Sequence, residues 1–114
     1  MKHFFYTSVP LVDIGNGAPG AKRRWLVDAA SGAEVAMMFV EVAPGGSTLR
    51  HAHPYEHTMF FLEGVGELVE ADGVRPISPY EVVHIKPEEL HQIKNTGVKT
   101  LRFLAVEPAH KKTI

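Results

Sequence analysis

His51, His53 and His57 fall within seven positions of a 114-residue chain that holds seven histidines. In an extended strand, residues i and i+2 point to one face, so His51 and His53 present two imidazoles side by side. His57 has the same parity and lies beyond a short bend at Pro54-Tyr55. The three rings are expected to converge on one point. Imidazole is the commonest side-chain ligand for divalent transition metals, so the chemistry this cluster suggests is metal chemistry. Glu56 is adjacent, but strand parity turns it away from His51 and His53. Cysteine is absent, which excludes thiolate ligands and disulfides. No serine sits in a nucleophile-elbow context.

Short strands must position these side chains. Glycine and proline punctuate the chain at short intervals, and no long capped 3.6-residue pattern interrupts them. Strands are expected at 3–7, 9–12, 23–27, 34–42, 58–62, 67–70, 74–77, 81–85, 91–95 and 100–106, with 47–53 extended. Asp72-Gly73 is a good hairpin-turn pair. Residues 107–114 read as irregular surface. About ten strands without crossover helices exclude a parallel sheet and leave an all-β sandwich or jelly-roll barrel.

Length and composition set the frame. A chain of 114 residues is one domain's worth, and 45% apolar with 22% charged residues is ordinary for a soluble globular protein. The formal net charge is −1, with both signs scattered, so no nucleic-acid partner is expected. The one dense basic run, Lys22-Arg23-Arg24, reads as a solvated strand edge. No apolar run approaches a membrane span, and the N-terminus does not read as a signal peptide, so a cytoplasmic protein is expected. Gly15-Asn16-Gly17-Ala18-Pro19-Gly20 matches the dinucleotide fingerprint literally, but Pro19 and a following strand deny it the helix it needs. His3, His84 and His110 are expected to face solvent.

Gly45, His51-Ala52-His53 and Phe60-Phe61-Leu62-Glu63-Gly64 resemble the first motif of the cupin superfamily. Pro87-Glu88-Glu89-Leu90-His91, with Asn95 four residues on, is similar to its second motif. The resemblance covers roughly residues 35–106 and implies a cupin double-stranded β-helix, a jelly-roll barrel, within a single domain at 1–114. It also implies that His51, His53 and His91 ligate a metal. The usual fourth ligand of that family is a Glu with six residues between it and the motif glycine. Counted back from Gly64, that position is His57, so the site resembles the four-histidine subset of small single-domain cupins. The chain departs from the second motif by lacking a glycine between Pro87 and His91, and Tyr80-Glu81 replaces a common Gly-Asp turn. A reshaped loop is expected there.

Four neutral imidazoles leave a bound ion its full charge, which favours an anionic ligand. The expected cofactor is one divalent transition metal, of the set manganese, iron, nickel, copper, cobalt and zinc. Ligation needs neutral histidines, so metal loss is expected as pH falls through about 6. By parity, Met59 and Phe61 share the inward face of His57, Ile93 and Asn95 that of His91, and Val83 and Ile85 face in beside them. Met37, Trp25 and Phe103 are further candidate lining. Tyr55 and Glu56 are candidate acid–base residues, and no catalytic residue follows from the sequence. The implied activity is that of a metal-dependent dioxygenase, decarboxylase, isomerase or lyase acting on a small anionic organic substrate. The alternative is a non-catalytic binding or sensor module. Phe4-Phe5-Tyr6 could cover a sheet edge or pair with a second copy, and a homodimer is expected.

Overall fold

Alternation of apolar and polar residues organises the chain into nine strands among the described residues, which are residues 1–110 of a computed structural model. They are β1 (Val12–Asp13), β2 (Ala21–Val27), β3 (Val35–Val42), β4 (His57–Glu63), β5 (Gly66–Glu70), β6 (Gly73–Ile77), β7 (Val82–Ile85), β8 (Gln92–Lys94) and β9 (Leu101–Pro108). All strand pairs are antiparallel. One six-stranded sheet has the order β1-β2-β3-β9-β4-β7, and a three-stranded sheet has the order β6-β5-β8. The extended segment before β4 pairs with the second sheet through single bridges, Ser47 to Lys94 and His51 to His91. The fold is the expected all-β jelly roll.

The two sheets close on one core. Val40, Val42, Met59, Phe61, Phe103 and Ala105 come from the large sheet; Leu68 and Ile93 come from the small one. Phe61 and Phe103 are cross-strand partners with ring centroids 4.9 Å apart. Gly66 keeps β5 close to β8, since a Cβ there would lie 2.3 Å from the Lys94 carbonyl oxygen. The spacing of these two strands matters because β8 follows directly from His91. On the outer face, Arg102 joins Glu41 of β3 to Glu63 of β4, and these two carboxylates hold its guanidinium firmly charged.

Three expectations about elements need correction. Residues 3–7 form no strand; Tyr6–Ser8 is a single 3₁₀ turn, and Tyr6 lays its ring 4.8 Å from that of Phe39 on the outer face. The strand expected at 9–12 is the two-residue β1, displaced toward Asp13. Residues 107 and 108 are not irregular surface, because β9 runs on to Pro108 with its buried-inward alternation unbroken through Glu107. Residues 111–114 of the expected tail lie outside the described residues.

Candidate metal centre

His51 and His91 are brought together by the backbone. Each donates its N–H to the other's carbonyl, at 3.1 and 2.9 Å. Directly opposed residues in such a pair show their side chains on the same face. Their rings lie 4.8 Å apart, and His53 lies 5.0 Å from His51 and 4.8 Å from His91. One ligand atom from each of the three histidines fits within 4.8 Å of the others. Two nitrogens on opposite sides of one ion are separated by about 4.2 Å, twice a normal metal–nitrogen bond. Small ring rotations therefore close the set around an ion.

The tautomers are fixed from behind. His53 Nδ1 lies 2.7 Å from the Tyr55 carbonyl and His91 Nδ1 lies 2.9 Å from the Glu89 carbonyl. A carbonyl only accepts, so both Nδ1 atoms carry the proton and both Nε2 atoms carry a lone pair. Those Nε2 atoms are buried with no hydrogen-bond partner in the protein. Burying a polar nitrogen this way is costly unless something binds it. An all-nitrogen donor set with second-sphere carbonyls already in place fits a divalent transition ion.

Burial, then the neighbouring rings of His91 and His53, push His51 down to about 4. Burial likewise lowers His91, opposed in part by its bond to the Glu89 carbonyl. Neutral imidazoles are the ligating form, so burial favours ligation at both positions, and His51 stays neutral well below the expected threshold near pH 6. For the metal-free protein, the unfolded chain binds more protons than the folded one between about pH 6.5 and 4. This part of the stability is present above pH 6.5 and is lost as pH falls toward 4. Thermal melts of chelator-treated protein should show the midpoint dropping over that window. A midpoint that rises or stays level across it would contradict the assignment.

The fourth expected ligand stands slightly apart. The His57 ring is 5.6 Å from His53 and 6.1 Å from His91, and its Nε2 is 3.4 Å from Oε1 of Glu107. His57 opens β4 and Glu107 lies near the end of β9, in register with it. Glu107 is buried, and it brings a carboxylate into a site read from sequence as purely imidazole. Its signal was the alternation Leu101, Phe103, Ala105, Glu107.

The histidines line a cavity of about 90 Å³, several times what one water needs. Met59, Phe103 and Tyr55 line it as well, and Tyr55 stacks on the His53 ring at 3.9 Å. The remaining expected lining residues do not. Met38 and Val40 face the cavity, whereas Met37 is on the outer face of the same strand. Phe61 and Ile93 are fully buried behind the wall. Asn95 is structural, donating to the Val42 and Lys99 carbonyls and accepting from Gly97 N–H. Val83 and Ile85 line a separate cavity, over the small sheet. Trp25 packs against the core beneath Arg23. Glu56 is exposed and sits 3.3 Å from His84, away from the cluster. Arg23, expected on a solvated edge, lines the cavity, because Ala21, Arg23 and Trp25 share the inner face of β2.

Both departures from the second motif keep the backbone that a glycine would give. Tyr80 and Glu88 have φ of 73° and 70°. Glu88 N–H donates to the His53 carbonyl at 2.8 Å, so this left-handed turn ties the His91 loop to the first histidine segment.

These features coincide with a known family. Residues 38–107 match the family described as the Cupin domain, and the chain belongs to the cupin family. Over 82 residues it is 34% identical to auxin-binding protein 1 of Arabidopsis thaliana, covering 64% of this chain. The match spans only 41% of that relative's length. The polyketide cyclase RemF of Streptomyces resistomycificus superposes with a TM-score of 0.91 at 32% identity, covering 99% of this chain and 82% of that one. A predicted oxalate decarboxylase of Thermotoga maritima superposes with a TM-score of 0.85 at 24% identity, covering 96% and 100%. That last likeness bears on the fold alone. Among the described residues, no helix is long and apolar enough to cross a membrane.

Proposed function

We propose that this chain is a metal-dependent enzyme acting on a small anionic 1,3-dicarbonyl substrate through its enolate. His51, His53 and His91 hold one divalent transition ion, with His57 as the fourth ligand. The observation that carries this reading is the pair of buried Nε2 atoms on His53 and His91, fixed in tautomer by backbone carbonyls, in a group of three histidines whose ligand atoms lie within 4.8 Å of one another. When bound, the ion supplies Lewis acidity that polarises a carbonyl oxygen and acidifies the adjacent C–H. Glu107 accepts the proton released from carbon; its Oε1 lies 3.4 Å from the His57 ring, at the edge of the ligand set. The apolar wall of Met38, Val40, Met59 and Phe103 excludes water from the reacting carbon. The likeness to a polyketide cyclase along nearly the whole chain supports enolate chemistry.

A second reading, a binding module without turnover, is favoured by the likeness to a protein named for binding auxin. Incubating metal-loaded protein with 2,4-dioxopentanoate, while following products by NMR and dioxygen uptake, separates the two. Metal-dependent product formation supports the enzyme. Tight binding with the ligand recovered unchanged supports the module.

We also propose a homodimer formed on the outer face of the large sheet. Phe39, Leu104, Phe60 and Val82 are successive cross-strand partners there, and Phe60 and Val82 are exposed. Sedimentation at micromolar concentration should give twice the chain mass; a monomer would refute it.

A further inference from the structure

Arg23 is out of place for a solvated cation. It sits on the inner face of β2, opposite Val40, which in turn pairs with Phe103. All three line the cavity that holds the histidines. The Arg23 guanidinium carbon lies 4.9 Å from the centre of the Trp25 ring. A cation held over an aromatic ring keeps its N–H donors for other acceptors. Among the described residues, Arg75 and Arg102 are paired with carboxylates, and no carboxylate is paired with Arg23. A half-buried cation on an apolar inner face is costly unless it meets an anion.

The register places this charge away from the proton-moving end. Glu107 and His57 share one row across β9 and β4, whereas Phe103, in the Arg23 row, is four residues earlier on β9. Four residues of strand are about 13 Å. The cavity therefore carries imidazoles and a carboxylate toward one end and a single guanidinium toward the other.

We propose that Arg23 is the specificity-determining anchor for a carboxylate on the substrate, at the end remote from its reacting dicarbonyl. This rests on the metal-dicarbonyl reading and narrows it: the substrate class becomes 1,3-dicarbonyl acids, not neutral diketones. Arg23 grips the carboxylate while the dicarbonyl faces the histidines. Ile14 and Leu49 supply the apolar collar where Arg23 enters the cavity.

Two probes that differ by one carboxylate, carried on a three-carbon arm away from the dicarbonyl, test this: heptane-2,4-dione and 5,7-dioxooctanoate. Their affinities are measured by calorimetry on zinc-loaded wild type and on Arg23→Gln, Arg23→Lys and Lys22→Gln, with zinc content measured in each. Lys22 lies next in the strand on the exposed face and gives the same change in net charge as Arg23→Gln. Wild type should prefer the acid by about ten- to hundredfold, the range of a hydrogen bond to a charged group. Arg23→Gln should erase that preference with zinc content and diketone affinity unchanged, Arg23→Lys should keep part of it, and Lys22→Gln should keep all of it. An unchanged preference in Arg23→Gln, or equal loss in Lys22→Gln, overturns the anchor and leaves the metal-dicarbonyl reading standing. Binding of neither probe to zinc-loaded wild type overturns that reading, and the anchor with it.

Discussion

Replacing His91 by alanine weakens retention of a divalent ion by at least about a thousandfold, because changes in outer-sphere partners alone already cost ten- to hundredfold. In the proposed site His91 comes from the second sheet's side, and its ring lies 4.8 Å from both His51 and His53. Without it, the remaining members of the close cluster come from one short segment, and the ion loses its grip across the barrel. The backbone bonds between positions 51 and 91 do not need the imidazole, so the fold should survive. Chelator competition with zinc or manganese gives the affinity, and circular dichroism checks the fold. Affinity within threefold of wild type in a folded variant would contradict the site. His57→Ala should weaken binding less, since His57 stands outside the closest group of three.

Glu107→Gln should lower turnover by about a hundred- to a thousandfold, the usual worth of a positioned acid–base group. Glutamine keeps the shape beside His57 but removes the charge and the proton acceptor. Metal affinity should fall by no more than about a hundredfold, the upper end for outer-sphere changes. Binding of 2,4-dioxopentanoate should stay level or tighten, because a negative charge leaves the cavity. Turnover within twofold of wild type would remove Glu107 from the chemistry. Loss of metal and turnover together, to the same degree, would make it a structural support of the ion.

The site was legible where strand parity alone decides the outcome. His51 and His53 are two apart, and a strand leaves their common face no choice. His91 was legible only through the motif, since its approach to His51 depends on a long-range pairing between 47–51 and 91–94. The inner face of β3 was ambiguous because both faces are apolar. Glu41, on the Met37 side, was the sign that Met38 and Val40 face inward. Arg23 was missed because three consecutive basic residues look like a surface, although neighbours in a strand point to opposite sides. Glu107 was missed for a related reason. A charged residue near a strand end reads as the start of a loop, and burial of a carboxylate follows from tertiary neighbours that a local pattern does not contain.

The central claim is the proposed one, that the histidine cluster holds one divalent ion. Elemental mass spectrometry on protein produced without a histidine tag tests it most directly. The account predicts about one transition-metal ion per chain, removable by chelator and restored by adding the metal back. Protein that carries no metal as isolated, and takes up none at neutral pH when offered manganese, iron, cobalt, nickel, copper or zinc, would contradict it.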